Sequence, residues 1–341
     1  MTTISVAQNL SDAWVDAVRS GKIVNNFETT EKEHIEFGLR MAGETIEYYA
    51  KNLNTGTPIS ATVEEKMVPG TAFRIQYNGY RALRPGGAAR SAGKQPAISG
   101  DVEKCRFFCQ DPKQPLSILR RDHLCQVALH HYRWNAYYNT APFEKEGHFL
   151  WIPAVIDGAL TVSPHLLQYL TLPLLEDVLD LFRQSDSMIL FFNSLHAGAS
   201  VNHIHIQGVF HAERLAIEDA ATEPSSQIPG CSLLTSSYPA NGLVFARDVE
   251  ASLLFKALNQ LQSMGIPLNL ILIGERIYLV ARDANHEVVP AFPGGGIGSM
   301  ELAGKIITVD RHAYGRINAK VIGDVLHKVT LPIATILPEY V

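Results

Sequence analysis

The chain has 341 residues, of which 46% are hydrophobic and 18% charged, with a formal net charge of -5. This is a globular composition, and its acidic balance provides no basic footprint for nucleic acid. No apolar run reaches the roughly 18–20 residues of a membrane helix, and the start MTTISVAQNLSDAW lacks the basic and apolar stretches of a signal peptide, so a cytoplasmic, membrane-free protein is expected. Four cysteines, Cys105, Cys109, Cys125 and Cys231, make no disulfide framework in so long a chain.

Residues 1–70 read as a mostly helical lead-in. LSDAWVDAVRSG and EKEHIEFGLRMAGETIEYYAKN both place apolar residues at helical spacing, with Ser11 as an N-cap. TAFRIQYN alternates like a strand and runs into GYRALRPGGAARSAGKQP, a Gly/Pro-rich loop carrying Arg81, Arg84, Arg90 and Lys94. After the cysteine pair of CRFFCQDPKQ, the segment YRWNAYYNTAPFEKEGHFLWIPAV suggests two strands joined by a turn around Pro142 to Gly147. SPHLLQYLTLPLLEDVLDLFRQ reads as a helix capped by Ser163 with Pro164 in its first turn. SMILFFN and NHIHIQGVF read as strands around the loop SLHAGASV.

Residues 212–241 turn to Ser, Pro, Ala and Glu and read as a surface excursion. Beyond them GLVFA is a strand, DVEASLLFKALNQLQSMG a helix, and PLNLILIGERIYLVARD a hairpin turning near Gly274 and Glu275. Strand, helix and hairpin echo the order of the earlier part, which divides the chain into a catalytic half at 71–211 and a second half at 242–341. The expected fold class is α+β, a mostly antiparallel sheet of two related halves with helices packed on it. FPGGGIGS, Phe292 to Ser299, has no phosphate-loop spacing and no lysine, and reads as a turn.

The chemistry concentrates in NSLHAGASVNHIHIQ, Asn193 to Gln207. In a strand, residues two apart share a face, so His203, His205 and Gln207 would stand in a row while Ile204 and Ile206 pack inward. A neutral imidazole is a competent nucleophile near pH 7 when its other ring nitrogen donates to a backbone carbonyl, and a glutamine can donate to a phosphoryl oxygen without titrating. The small residues Asn193, Ser194, Gly198, Ala199 and Ser200 would let backbone N–H groups and hydroxyls approach anionic oxygens. Each part alone is commonplace; their conjunction describes a phosphoryl site with a histidine nucleophile.

This stretch resembles the active-site signature of the histidine triad superfamily, in its transferase branch of galactose-1-phosphate uridylyltransferase, diadenosine tetraphosphate phosphorylase and GDP-L-galactose phosphorylase. In that branch the third triad position is glutamine, here Gln207. APFEKEGHFLWIP, PLNLILIGERIYLVAR and GSMELAGKIIT are also similar to family segments. The resemblance implies a nucleotidyltransferase or phosphorylase acting on a nucleoside polyphosphate or nucleotide sugar, with phosphate or a sugar phosphate as acceptor. His205 would attack the α-phosphorus and form a covalent nucleotidyl-histidine, while Gln207 holds the phosphoryl oxygens. His203 would orient the site, and the loop from Asn193 to Ser200 would cradle the remaining phosphates, with Arg81 and Arg84 neutralising charge. Relatives are often dimeric, which implies a homodimer.

No cofactor is required by this chemistry. The resemblance does offer a structural zinc, whose ligands in the uridylyltransferases would match Cys105, Cys109, His148 and His203, although three residues rather than two separate the cysteines here. A hydrolase on the same scaffold, a non-catalytic nucleotide-binding protein and a metal-binding structural protein are the alternatives the residues leave open.

Overall fold

Ten of the strand-forming stretches pair into one large sheet, and the order of its strands explains why the chain reads as two halves. The computed structural model describes residues 5–29, 32–83, 105–109, 111, 113, 117–118, 121–154, 165–211, 213–226, 228–293 and 296–337. The chain begins with α1 (Val6–Arg19), β1 (Val24–Glu28), β2 (His34–Ala42), β3 (Thr45–Asn52), β4 (Val63–Met67), β5 (Arg74–Asn78) and the single turn α2 (Gly79–Ala82). Next come β6 (Cys125–Ala128), β7 (Arg133–Tyr138), β8 (His148–Ala154), α3 (Leu172–Arg183), β9 (Met188–Asn193) and β10 (Ile206–Phe210). Then follow β11 (Thr222–Pro224), β12 (Ser232–Leu234), β13 (Leu243–Ala246), α4 (Ala251–Ser263), β14 (Leu268–Ile273) and β15 (Arg276–Ala281). The chain closes with α5 (Ser299–Ala303), β16 (Lys305–Thr308), α6 (Arg311–Arg316), α7 (Ala319–Val329) and α8 (Ile333–Ile336).

Ten strands form the main sheet in the order β11-β12-β13-β15-β14-β9-β10-β8-β7-β6, and neighbours are antiparallel throughout. The first half is the meander β6-β7-β8, the helix α3 and the hairpin β9-β10, with β10 returning to β8. The second repeats that plan as β11-β12-β13, α4 and β14-β15, with β15 returning to β13. The halves join where β9 pairs with β14, and Asn193 faces Asn269 across that seam. The expected α+β architecture of two related halves is therefore observed.

Residues 212–241 are not an excursion. They supply β11 and β12, the outer strands of the second half, and bury Leu215, Ile217 and Ile228. Pro224 is compatible with an edge strand because it needs no ladder donor on the open side, and this is why a Ser- and Pro-rich composition disguised the element.

Strand alternation divides the core in two. On one face Trp134, Phe149, Trp151, Leu190, Phe192, Ile206, Leu270 and Leu279 pack with α1, α3 and α4. On the other face Ile189, Phe191, Val209, Ile271, Tyr278 and Val280 pack with Phe73, Ile75, Ile306 and the apolar stripe of α7. This second layer includes a small sheet in which β16 lies parallel to β5, itself antiparallel to β4. Buried Lys305 pairs with Glu65 of β4 at 2.8 Å within that sheet and ties the sheet to the β7-β8 turn through Glu144 at 2.5 Å.

The helical lead-in begins as expected with α1, but its cap is Ser5, whose hydroxyl accepts from the Gln8 N–H at 3.2 Å; Ser11 lies inside the helix. Within the stretch expected as helix, residues 32–52 are not helical. They form the hairpin β2-β3, in which Ile35, Phe37 and Leu39 are buried at every second position and Gly43 turns at φ 65°. Their Glu, Ala, Met and Lys residues favour helix, but the period-two burial prevails. Likewise, the helix expected from Ser163 starts at Leu172, capped at Thr171 with Pro173 in the first turn. Ser163 and Pro164 lie outside the described residues.

Trp14 is fully buried, donates to the Lys145 carbonyl at 2.8 Å and meets Phe149 edge-on at 5.1 Å, so α1 is part of the main core. Trp14→Ala should destabilise the fold by about 3–5 kcal/mol, read as a lowered midpoint in urea unfolding.

Candidate functional site

A row of polar side chains crosses the four central strands on the face away from α3 and α4: His148 on β8, Gln207 on β10, Asn193 on β9 and Asn269 on β14. The HxHxQ stretch enters this row from a loop, since β10 begins only at Ile206. Ile204 and Ile206 are fully buried on the helix side, as their alternation predicts. His203, His205 and Gln207 each go to a different partner.

His205 is 5% exposed, and its Nδ1–H donates to the His203 carbonyl at 2.7 Å. A carbonyl can only accept, so the ring proton is on Nδ1 and the lone pair on Nε2. Burial pushes the His205 pKa down against the opposing pull of that hydrogen bond, which keeps the ring neutral near pH 7. Phe107 packs edge-on against the rings of both His203 and His205, at 5.5 and 5.4 Å.

Gln207 Oε1 lies 2.9 Å from His148 Nε2. The Phe143 N–H is directed at His148 Nδ1 at 3.4 Å, which leaves the His148 proton on Nε2 to be donated to Gln207. Asn139 Nδ2 stands 3.1 Å from the same Nε2. With its oxygen engaged, Gln207 has its NH2 available as a donor. Arg81 reaches the edge of this region, where its guanidinium donates to the Ala141 carbonyl and lies 5.8 Å from the Phe143 ring. Arg84, Arg90 and Lys94 lie outside the described residues.

The loop residues divide into those turned inward and those engaged elsewhere. Asn193 Oδ1 accepts from Asn269 Nδ2 at 2.7 Å, Ser299 Oγ at 2.6 Å and Ser299 N–H at 3.1 Å. That fixes its Nδ2 beside Gly198 and Gly298, where a Cβ built on either glycine would come within 3.5 or 3.3 Å of it. Ser194, expected to contact phosphate, instead extends the sheet: its hydroxyl accepts from the Leu268 N–H at 2.7 Å. The Gly198 N–H is directed to Glu287 Oε1 at 2.9 Å, and the Ala199 N–H to the Ser194 carbonyl at 3.3 Å. Ser200 is half-buried just before Val201.

Behind the loop stands Arg282, fully buried, donating to Asn269 Oδ1 at 2.7 Å and to the carbonyls of Ile297 and Val329. Burial lowers its pKa to about 10. Of the FPGGGIGS segment, read from sequence as a turn, Gly298 packs directly on the loop: a Cβ on Gly198 would meet Gly298 Cα at 3.0 Å. Asn269, Arg282, Glu287 and Ser299 had no signal in the sequence, because nothing local pairs them with residues so far upstream.

His203 faces away from Gln207. Its Nδ1 is 3.6 Å from Cys105 Sγ, while His165 Nδ1 is 3.2 Å from Cys109 Sγ. Donor atoms of Cys105, Cys109, His165 and His203 all lie within 4.8 Å of one another. Such separations approach those of a tetrahedral ion with bonds of about 2.0–2.3 Å to nitrogen and sulfur. The other ring nitrogens, Nε2 of His165 and of His203, are buried and have no hydrogen-bond partner among the described residues. Burial, reinforced by the neighbouring His165 and His205, lowers the His203 pKa to about 3, so it offers a neutral nitrogen. This donor set fits zinc, but His148 is not in it. His148 is committed to Gln207, and His165, hidden in a stretch that reads as helix, takes the expected position.

No family model matches the chain, and no curated protein does. Its fold, however, matches that of solved structures over nearly the whole chain. The structure of yeast Ap4A phosphorylase Apa2 superposes with a TM-score of 0.58 at 14% identity, covering 97% of this chain and 99% of that one. Its complex with AMP gives 0.55 at 14% identity over 100% of both chains. The complex with Ap4A gives 0.54 at 16% identity over 80% of this chain and 90% of that one.

Gly198 adopts φ +105°, and its close neighbour is backbone that no side-chain rotation can move aside. Gly198→Ala should therefore destabilise the protein by about 1–3 kcal/mol, seen as a lower thermal midpoint.

Proposed function

We infer that the protein is a nucleotidyltransferase of the phosphorylase kind, acting on a nucleoside polyphosphate through a covalent nucleotidyl-His205 intermediate. The observation that carries this reading is the 2.7 Å bond from His205 Nδ1–H to the His203 carbonyl, which leaves Nε2 as the nucleophilic atom. Fold neighbours crystallised with AMP and with Ap4A support a dinucleoside polyphosphate as the first substrate to test.

In the first step Nε2 attacks the α-phosphorus, a P–N bond forms, and the bond to the bridging oxygen breaks in line. The remaining nucleoside polyphosphate leaves with the electron pair. In the second step an oxygen of phosphate, or of a sugar phosphate, attacks the same phosphorus and the P–N bond breaks, returning the lone pair to His205. Leaving group and acceptor are both anions, so the steps need charge stabilisation more than acid catalysis. The NH2 groups of Gln207 and Asn193, their oxygens already engaged, donate to the phosphoryl oxygens. Arg81 lies at the edge of the region to neutralise further phosphates.

A structural zinc belongs to the same proposal, held by Cys105, Cys109, His165 and His203. When bound, it cross-links the cysteine loop to the catalytic turn.

His205→Ala should reduce turnover by a factor on the order of 10^3 or more with the fold retained. Wild-type protein incubated with Ap4A should carry an acid-labile nucleotidyl mass on His205, and release of ADP should depend on inorganic phosphate. An adduct on another residue would overturn the assignment, and phosphate-independent release of AMP would indicate hydrolysis. Elemental analysis should find about one zinc per chain, and Cys109→Ser should lose that zinc and lower the thermal midpoint.

A further inference from the structure

β9 and β10 are paired as far as Phe191 and Gln207 and then part to make room for the loop. Beyond that point the backbone around His205 needs other partners, because a buried N–H or C=O left unpaired is costly. A strap formed by residues 165–170 supplies them. The Leu166 carbonyl accepts the Ile204 N–H at 2.8 Å, and Asn202 Oδ1 accepts the Gln168 N–H at 3.0 Å. The Gln168 side chain, 5% exposed, completes the arrangement: its Oε1 accepts the His205 N–H at 2.9 Å, and its Nε2 donates to the carbonyls of Asn193 at 2.9 Å and His205 at 3.2 Å. Both protons of that amide are used, and its oxygen and nitrogen cannot be exchanged without opposing like groups.

Three successive peptide planes are thereby held. The plane of His203 and Ile204 is set through the Ile204 N–H, and the His203 carbonyl in that plane is the acceptor that fixes the His205 ring. The next two planes carry the His205 N–H and the His205 carbonyl, and Gln168 holds both. The strap is anchored at its far end by Gln262, whose carboxamide accepts from the Leu170 N–H at 3.0 Å and donates to the Leu170 carbonyl at 2.8 Å. Its near end is His165, a member of the Cys–His cluster.

The geometry points to Gln168 as a positioning residue that replaces the missing strand partner of His205 and so aims its Nε2 at the substrate phosphorus. Gln168 touches no reacting atom. Its effect on rate arises because a nucleophile displaced by about 1 Å can lose about a hundredfold in rate. This inference rests on the reading of His205 as the nucleophile.

Two measurements on Gln168→Met, which keeps side-chain length while removing the three side-chain hydrogen bonds, test it. The first is steady-state phosphorolysis of Ap4A. Here kcat should fall about 30- to 100-fold while KM stays within about threefold, since ground-state contacts are untouched. The second is nitrogen-detected NMR of the histidine rings without substrate. Wild-type His205 should show a single Nδ1–H tautomer, and the variant a mixture shifted toward Nε2–H. Gln262→Ala, which loosens the strap at Leu170 and leaves Gln168 in place, should move both readouts in the same direction by a smaller amount and serves if Gln168→Met does not fold. Unchanged kcat together with an unchanged His205 tautomer would overturn the proposal. A wild-type protein that turns over no dinucleotide, with a His205 ring that still responds to Gln168→Met, would retain the positioning role and refute the proposed reaction.

Discussion

Where two paired strands separate to make a binding loop, their backbone groups lose partners in the middle of a buried sheet. That constraint governs the centre of this protein. Asn193 ends β9 and His205 precedes β10, and both would leave polar backbone atoms unpaired if nothing crossed between them. The carboxamide of Gln168 crosses there and meets backbone groups of both residues. The site is thus an interruption of the sheet that has been made good by side chains.

The two-half plan explains the supply of those side chains. In the second half β14 turns directly into β15 at Gly274, with no loop to interrupt the ladder. Among the described residues, the second half builds no equivalent loop between its paired strands. It serves as the rear wall: Asn269, Arg282, Glu287 and Ser299 engage the loop from behind, and α4 holds the strap through Gln262. Arg282 is a buried cation whose Nε and Nη1 meet the Val329 carbonyl, the Asn269 oxygen and the Ile297 carbonyl, with Glu287 and Glu301 nearby, while its Nη2 has no partner among the described residues.

The two outer members of the motif anchor it in opposite directions. His203 is drawn toward Cys105 and His165, and Gln207 toward His148. Both neighbours of His205 in the motif are therefore fixed, and the middle ring is held by a hydrogen bond to backbone and by the edge-on Phe107 ring. Carboxamide orientation follows the same logic. Asn193 and Gln207 each have their oxygen occupied by protein donors, which turns a group able to donate or accept into one that presents its NH2 as a donor.

Local periodicity and composition were enough to identify β9, β13, α4, the β14-β15 hairpin and the alternation that buries Ile204 and Ile206, because these elements present one face to the core along a contiguous stretch of chain. The same reasoning misread residues 32–52 as helix, where residue propensities and burial period disagree, and took residues 212–241 for surface because edge strands are short and tolerate proline. Within the site, the motif pointed to His203, His205 and Gln207 by spacing alone. His165 in place of His148 at the Cys–His cluster, Gln168 beside the backbone of His205 and Arg282 behind the loop came only with the tertiary structure. Each acts across a gap of many residues, and a hydrogen bond or shared ligand between distant segments leaves no period in the chain for local reading to detect.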